Sequence, residues 1–90
     1  MADADALAAL ADKEAIRALC YRYSRACDRL ARELLERCYW PDGRDDHGIF
    51  EGSAPEYIEW VMAFLGRFTS SHHTNANFLI ELEGDRAFGE

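Results

Sequence analysis

The sequence of 90 residues is long enough for one domain with a small core, and its 49% hydrophobic and 12% aromatic residues exceed what disordered chains contain. Its formal charge of −7 opposes binding to nucleic acids and to anionic membrane surfaces, because both attract basic proteins. Neutral or apolar small molecules remain as partners that the charge allows.

Two helices are predicted in the first half of the chain. One runs from about Asp5 to Asp28, where apolar residues recur with helical spacing along one stripe. The other covers about Leu30 to Tyr39 and ends before Pro41, since proline pushes the preceding residue out of the helical region. Asp42-Gly43 then predicts a turn.

The second half of the chain predicts a strand, a third helix and a hairpin. Asp45 to Glu51 is predicted as a short strand, and the capping box Ser-Ala-Pro-Glu begins a helix over about Ser53–Phe68. Ser71–Glu83 is predicted as a long strand, joined through a turn at Gly84-Asp85 to a returning strand over Arg86–Glu90. We therefore expect one α+β domain over residues 1–90, and we expect the chain to stop before its sheet is complete.

The cysteines and the N-terminus both bear on the cellular compartment. Cys20 and Cys27 lie on one predicted helix about 10 Å apart, too far for a disulfide, so they and Cys38 are expected to be reduced. The acidic start Met1–Asp5 lacks the positive charge of a secretory signal, and no apolar run approaches the length of a membrane span. The sequence therefore predicts a cytoplasmic protein.

Three polar clusters contain residue types that can move protons. A carboxylate beside a histidine orients the imidazole and stabilises its protonated form, and a tyrosine hydroxyl can polarise a carbonyl. The spacing alone does not show that these groups meet. The clusters are Tyr21, Tyr23 and Asp28; Asp45, Asp46 and His47; and His72, His73, Asn75 and Asn77.

Each cluster also has a structural interpretation. Asp28 has arginines three residues before it and four residues after it, which is an ordinary surface ion-pair pattern on a helix. Tyr23 lies on the apolar stripe and suits a core position, while Asp45-Asp46 suits a solvated strand start. His72 and His73 would point to opposite faces of one strand, so at most one of them faces a given cavity.

The sequence gives little support for a bound metal or phosphate. It contains no His-x-x-x-His or Cys-x-x-Cys pair, and His47 with Asp45 or Asp46 lacks a convincing third ligand. It also contains no glycine-rich phosphate loop and no serine nucleophile elbow. We therefore expect no metal.

Five segments, taken in order from Asp12–Arg29 to Glu83–Asp85, carry a family resemblance. This ordered set resembles the SnoaL-like family of the nuclear transport factor 2-like superfamily. The resemblance implies a cone-shaped α+β barrel, in which helices pack on a strongly curved mixed sheet and enclose an apolar pocket. Similar proteins include dehydratases, ketosteroid isomerases and polyketide cyclases that generally need no cofactor, and members are often dimers or trimers. Other members bind ligands without chemistry. The segments are Asp12–Arg29, Leu34–Gly52, Ser53–Phe68, His73–Asn77 and Glu83–Asp85.

The resemblance also implies site residues. In dehydratase-like members an aspartate late in the first helix and a histidine on a strand form the proton-transfer pair, and Asp28 and His73 match these positions. Tyr23 and Tyr39 match pocket hydroxyls, and His47 matches a further pocket residue. Substrate-binding roles for these three side chains are thus implied, with Asp28 and His73 as the catalytic pair.

Two features depart from the family pattern. Leu30-Ala31-Arg32 stands where members often carry residues like Gly-Asp-Trp, which affects the placement of Asp28. Members also continue with several long strands beyond the position that corresponds to Glu90, and those strands line much of the pocket.

Three functional hypotheses follow. The first is a cofactor-independent, dehydratase-like lyase or isomerase that acts on a small apolar ring compound, with a homo-oligomer as its expected state. The second is a non-catalytic module of the same fold that binds a small molecule or assembles with a partner. The third is an inactive fragment, which would expose the apolar strand residues Phe78, Ile80 or Leu82.

Overall fold

A computed structural model describes residues 2–90 of the chain. Helices and antiparallel strands together confirm the predicted α+β class. Over the described residues the strands form two two-stranded sheets and no closed barrel. The elements, in chain order, are α1 (Ala2–Asp28), α2 (Arg32–Glu36), β1 (Arg44–Asp46), β2 (Glu51–Ser53), α3 (Ala54–Leu65), β3 (Ile80–Glu83) and β4 (Arg86–Gly89).

The chain divides into two compact units. One comprises residues 22–74, and the other comprises the segment up to Tyr21 together with Asn75–Glu90. The unit of residues 22–74 contains the larger core, to which the end of α1, α2 and α3 each contribute buried side chains. This core consists of Ala26, Cys27, Leu35, Tyr57, Ile58 and Val61.

The capping box at the start of α3 is confirmed. The Ser53 hydroxyl accepts a hydrogen bond from the Glu56 N–H at 3.3 Å, and the Glu56 carboxylate accepts one from the Ser53 N–H at 3.1 Å. The Ser53 hydroxyl also donates to the Glu56 carboxylate at 2.8 Å, and this bond, followed by the one from the Ser53 N–H, holds the pKa of Glu56 below its usual range. The box determines where α3 begins, and therefore which of its side chains face the core.

Replacing Ser53 with alanine is expected to destabilise the protein by about 1 kcal/mol, because an N–H at the helix start loses its partner. Urea unfolding followed by circular dichroism would measure this. Ser70→Ala, at an exposed position outside regular structure, is the matched control and should change stability by less than about 0.5 kcal/mol. Equal stability of the two variants would contradict a stabilising cap.

The predicted single strand from Asp45 to Glu51 is wrong, because this segment folds as a hairpin. β1 pairs antiparallel with β2, and Asp46 lies opposite Glu51. The turn closes through a hydrogen bond from the His47 N–H to the Phe50 carbonyl at 2.7 Å. Gly48 adopts φ +76°, a left-handed conformation that glycine reaches without steric cost.

Two helices are shorter than predicted. α2 begins only at Arg32, because Leu30 has φ +51° and is outside the helix. α3 ends at Leu65, so Phe68 lies outside the helix, and its side chain is 52% exposed. The buried side chains of α3 include Tyr57, Ile58 and Val61, whose spacing places them on one face of the helix.

The predicted long strand from Ser71 to Glu83 is also wrong over most of its length. Only Ile80–Glu83 forms a strand, paired with β4, and the ladder closes at a reciprocal hydrogen-bonded pair of Leu79 and Glu90. A strand needs a hydrogen-bonding partner, and β4 provides partners for only these residues. The predicted hairpin turn at Gly84-Asp85 is confirmed, with Gly84 at φ +61°.

The apolar residues of this hairpin are partly covered. Ile80 is buried, and Phe78 and Leu82 are partly buried, so none of the three is exposed as the fragment hypothesis expects. Phe78 packs edge-on against Tyr21, with ring centroids 5.8 Å apart.

Among the described residues, no helix is both long enough and apolar enough to cross a membrane.

Candidate functional site

Asp28 and His73 are in direct contact. The Asp28 Oδ1 lies 2.5 Å from the His73 Nδ1, and the Asp28 Oδ2 accepts a hydrogen bond from the His73 backbone N–H at 2.7 Å. The Ser71 hydroxyl donates a third hydrogen bond to Oδ1 at 3.1 Å. The carboxylate at the end of α1 therefore holds both the ring and the backbone of His73.

The contact favours an ionised Asp28 and places a proton on the Nδ1 of His73. Burial opposes ionisation of Asp28, but the hydrogen bonds from His73 and Ser71 outweigh it and keep the pKa of this carboxyl below its usual value. An ionised carboxylate only accepts hydrogen bonds, so the His73 Nδ1 must carry a proton. In the neutral ring Nε2 is then the basic nitrogen, as proton abstraction requires.

The lowered pKa of Asp28 predicts an acid-dependent loss of stability. A carboxyl whose pKa is lower in the folded state stabilises the fold above its unfolded pKa of about 3.9, and this contribution disappears as pH falls through the folded pKa. Asp28→Asn is therefore expected to lose less stability than the wild type when the pH falls from about 5 to 2. Urea unfolding at successive pH values measures this.

Asp12→Asn, an exposed aspartate on the same helix, is the matched control and should keep the wild-type pH dependence. If Asp28→Asn and the wild type lost stability in parallel across this range, the ionised Asp28 would not stabilise the fold.

A second histidine–carboxylate pair lies at the β1–β2 hairpin. The His47 Nδ1 is hydrogen-bonded to the Asp45 Oδ1, and the Tyr39 hydroxyl donates to the Asp45 Oδ2 at 2.6 Å. Asp45 and His47 are two residues apart, a spacing that places side chains on one face of an extended segment. The Asp45 side chain is only 11% exposed, so Tyr39 and His47 satisfy a carboxylate that has little access to water.

Two tyrosine hydroxyls meet the other nitrogen of His47. The Tyr57 hydroxyl lies 3.1 Å from the His47 Nε2, and the rings of these residues stack with centroids 4.5 Å apart. The Tyr23 hydroxyl is hydrogen-bonded to the Tyr57 hydroxyl and lies 3.4 Å from the same nitrogen. The order of the contacts is therefore Asp45, His47, Tyr57, Tyr23.

All three tyrosines of the site remain neutral at physiological pH. Burial raises the pKa of Tyr23 and of Tyr39 far above the usual range, assisted by hydrogen bonds to Tyr57 and Asp45 respectively. Burial also raises the pKa of Tyr57 to about 12, against the opposing effect of its bond with Tyr23. Each hydroxyl therefore keeps a proton that it can donate.

Tyr23 joins the two histidine–carboxylate pairs. Its ring lies edge-on to the His73 ring, with centroids 6.4 Å apart, while its hydroxyl reaches Tyr57. All five residues predicted for the site thus lie together in the unit of residues 22–74. They are Asp28, His73, Tyr23, Tyr39 and His47.

The sequence interpretation missed three members of this network. Tyr57 is not among the predicted site residues, although a buried tyrosine usually finds a partner for its hydroxyl, which is a signal for it. Asp45 was grouped with His47 in a polar cluster, and its alternative interpretation as a solvated strand start is wrong because it bonds Tyr39 and His47. Ser71, which bonds Asp28, carried no signal in the sequence.

The surface ion-pair interpretation of Asp28 is also wrong. Arg32 pairs instead with Glu59 on α3, at 2.8 Å, and Asp28 bonds His73 and Ser71. The ion-pair pattern assumed a continuous helix, whereas α1 ends at Asp28 itself. Asp28 is therefore the last residue of α1, where its carboxylate can reach residues of the following loop and not only neighbours one turn away on the helix.

The structure pairs none of the three cysteines in a disulfide, and Cys27 is fully buried beside the site. Burial raises the pKa of Cys27, and the nearby Asp28 adds to this effect, although a hydrogen bond with Tyr23 opposes it. A thiol that stays protonated is a poor nucleophile. Within residues 2–90, no group of three or more histidine, cysteine, aspartate and glutamate side chains is arranged to hold a metal ion.

Comparisons with known proteins agree with the resemblance described above. The sequence model of the SnoaL-like domain matches residues 8–90. Uncharacterised proteins of Mycobacterium tuberculosis strain H37Rv and of Mycobacterium bovis are each 31% identical to this chain over 84 residues. The match covers 90% of this chain and 57% of each relative, so the chain spans little more than half their length.

No solved structure matches the chain at a comparable level of significance. The match of the domain model over nearly the whole sequence nevertheless gives the family. This chain belongs to the SnoaL-like domain family of the nuclear transport factor 2-like superfamily.

Proposed function

We propose that the protein is a cofactor-independent lyase or isomerase of the dehydratase type, acting on a small apolar ring compound. The observation that carries this proposal is the contact between Asp28 and His73, with 2.5 Å between Oδ1 and Nδ1. Two residues that lie 45 positions apart in the sequence form a positioned acid–base pair in this fold.

In the proposed reaction, the His73 Nε2 takes a proton from a carbon next to a carbonyl or a leaving group. The imidazolium that forms is stabilised by the ionised Asp28, which also keeps the ring in its orientation. Tyr23, Tyr39 and His47 would line the substrate pocket. No step of this scheme needs a metal or an organic cofactor.

The surroundings of the pair favour a neutral, apolar substrate. The aromatic rings of Phe50, Tyr57 and Trp60 pack against one another beside His47, with neighbouring centroids 5.3 to 6.0 Å apart. Two partly buried carboxylates, Asp28 and Asp45, together with a net charge of −7, oppose an anionic substrate.

Hydrogen–deuterium exchange tests the proposed base without knowledge of the natural substrate. The purified protein is incubated in D₂O with a small cyclic ketone such as cyclohexanone, and loss of the protons next to the carbonyl is followed by ¹H NMR. We expect exchange faster than with the same concentration of free imidazole. Exchange no faster than with imidazole, across a panel of cyclic ketones, would contradict the proposal.

A groove between α2 and α3 supports a second candidate function, that of a non-catalytic binding module. It has a volume of about 380 Å³, within the range of small-molecule sites. Trp40 at its edge is 80% exposed, Ile58 adds an apolar surface, and neither Asp28 nor His73 lines it. Quenching of Trp40 fluorescence by cyclic ketones, in a protein that catalyses no exchange, would favour this function.

We also propose that the protein acts in the cytoplasm as a homo-oligomer. The odd number of cysteines, with Cys20 and Cys27 about two turns apart on α1 and too distant for a disulfide with each other, supports this location. Exposed Leu79 and Phe88 on the β3–β4 hairpin support self-association, because apolar side chains beside an open strand edge favour pairing with another chain. Multi-angle light scattering gives the mass in solution, and a monomer at all concentrations would contradict an oligomer.

A further inference from the structure

The hydrogen bonds around His47 form a continuous path from the Asp45 carboxylate to the hydroxyl of Tyr23, whose ring lies edge-on to that of His73. Asp45 bonds the His47 Nδ1, the His47 Nε2 meets the Tyr57 hydroxyl, and the Tyr57 hydroxyl bonds that of Tyr23. The residues come from β1, the hairpin turn, α3 and α1 of one compact unit. The proposed base His73 does not need this path, so the path calls for a separate explanation.

The direction of the hydrogen bonds follows from which groups can donate. Asp45 accepts a hydrogen bond from the Nδ1 of His47, so Nδ1 carries a proton in either charge state of the ring. When His47 is neutral, its Nε2 can only accept, and the Tyr57 hydroxyl donates to it. The Tyr23 hydroxyl is farther from this nitrogen, at 3.4 Å against 3.1 Å for Tyr57, so it donates to the Tyr57 oxygen and its proton is not available to a substrate.

Protonation of His47 reverses the two bonds beyond its Nε2, while the bond from Nδ1 to Asp45 keeps its direction. The Nε2–H then donates to the Tyr57 oxygen, and the Tyr57 hydroxyl donates to the Tyr23 oxygen. The Tyr23 hydroxyl proton is released from Tyr57 and can point at another acceptor. Protonation of His47, which is linked to Tyr23 through Tyr57, thus allows the Tyr23 hydroxyl to donate its proton to a substrate.

We propose that Asp45, His47 and Tyr57 form a proton relay that ends at the Tyr23 hydroxyl, which acts as the general acid in a reaction where His73 is the base. This inference rests on the proposed function. Its geometric support is that the Tyr23 ring lies against the His73 ring, so one substrate molecule can meet both residues. His47, Tyr57 and Asp45 are positioning residues, since they act through Tyr23.

The step balances for the elimination of water from a β-hydroxy carbonyl compound. The His73 Nε2 takes the proton from the carbon beside the carbonyl, and the electron pair of that bond forms the new double bond. The carbon–oxygen bond breaks with its electron pair on oxygen, which takes the Tyr23 proton and leaves as water. Tyr57 reprotonates Tyr23, and the His47 Nε2–H reprotonates Tyr57.

One turnover therefore ends with His73 protonated and His47 neutral. To start the next turnover, His73 gives its proton to water and His47 takes one from water. Water reaches both rings, because the His73 side chain is 39% exposed and that of His47 is 41% exposed. Burial keeps the pKa of both relay tyrosines high, so neither accumulates as a phenolate during transfer. Relayed protons therefore pass between neutral hydroxyls.

The titratable groups around His47 come from each element packed against it. Asp45 faces it from β1, Tyr57 from α3 and Tyr23 from α1. Tyr39 bonds the far oxygen of Asp45, and the Cys27 thiol lies beside Tyr23.

NMR titration tests the relay without a substrate. The chain is labelled with ¹³Cζ-tyrosine and ¹⁵N-histidine, and His73→Gln serves as the background so that no second imidazole titrates beside Tyr23. We expect the ¹³Cζ chemical shifts of Tyr23 and Tyr57 to change at the same midpoint pH as the ¹⁵N shifts of His47. The reason is that both hydroxyls donate toward neutral His47 and away from protonated His47. Tyr21, on the same helix, is the internal control and should not follow this midpoint.

Two further variants locate the path. In His47→Gln neither the Tyr23 nor the Tyr57 chemical shift should change around the midpoint pH found for His47. In Tyr57→Phe the change of the Tyr23 chemical shift should be mostly lost. A Tyr23 resonance that ignores the His47 midpoint would overturn the relay. A full Tyr23 response in Tyr57→Phe would overturn the role of Tyr57, because Tyr23 would then sense His47 directly.

These outcomes are separate from failure of the proposed function. Ketone exchange in D₂O depends on His73, and the tyrosine response depends on His47. Exchange without a coupled tyrosine response would leave the His73 base and remove the relay. A tyrosine response coupled to His47, in a protein that catalyses no exchange, would support the hydrogen-bond reversal but contradict the proposed reaction and therefore the role of Tyr23 as its general acid.

Discussion

Replacing His73 with glutamine is expected to reduce ketone proton exchange by about 10²–10⁴-fold, which is the usual contribution of a positioned general base. Glutamine keeps a polar side chain of similar reach but has no basic nitrogen. The hydrogen bond from the backbone N–H of residue 73 to Asp28 does not depend on the side chain, so the loop should keep its place. Initial exchange rates from ¹H NMR, at equal folded protein concentration, measure the effect.

His72→Gln is the matched control, because it removes an exposed neighbouring imidazole that does not contact Asp28. It should retain the wild-type rate. Asp28→Asn should fall in the same direction as His73→Gln, because a neutral amide neither selects the Nδ1–H tautomer nor stabilises the imidazolium. If His72→Gln slowed exchange as much as His73→Gln, the assignment of the base to His73 would fail.

Replacing Leu35 with alanine is expected to lower the free energy of unfolding by about 2–5 kcal/mol. Leu35 on α2 is 0% exposed and belongs to the core formed with the end of α1 and with α3. The substitution removes apolar surface from that core and leaves a cavity. Single domains are stable by only about 5–15 kcal/mol, so the variant should unfold at a much lower urea concentration.

Leu7→Ala is the control for the same chemical change at a side chain that is 68% exposed, and it should alter stability by less than about 0.5 kcal/mol. Urea unfolding monitored by circular dichroism gives both values. Similar losses in the two variants would mean that the core around α2 contributes little to the stability of the fold.

Local signals in the sequence were sufficient for part of the fold. The start of α3 was predicted because a capping box requires only four consecutive residues, Ser53 to Glu56. The turn at Gly84-Asp85 was predicted for a similar reason, since glycine adopts the positive φ that the turn needs. Strand lengths were predicted poorly, because a strand such as β3 extends only as far as its partner does.

The sequence by itself determined the α+β class and the family, because periodicity and ordered motifs are properties of the chain itself, and the family resemblance identified Asp28 and His73 as the candidate pair. Only the tertiary structure decided that these two side chains touch, and that Asp45, His47 and Tyr57 continue the network to Tyr23. The physical reason is distance along the chain. A hydrogen bond joins residues up to 45 positions apart only after helices and strands have packed, and no local preference records which distant groups will then face each other.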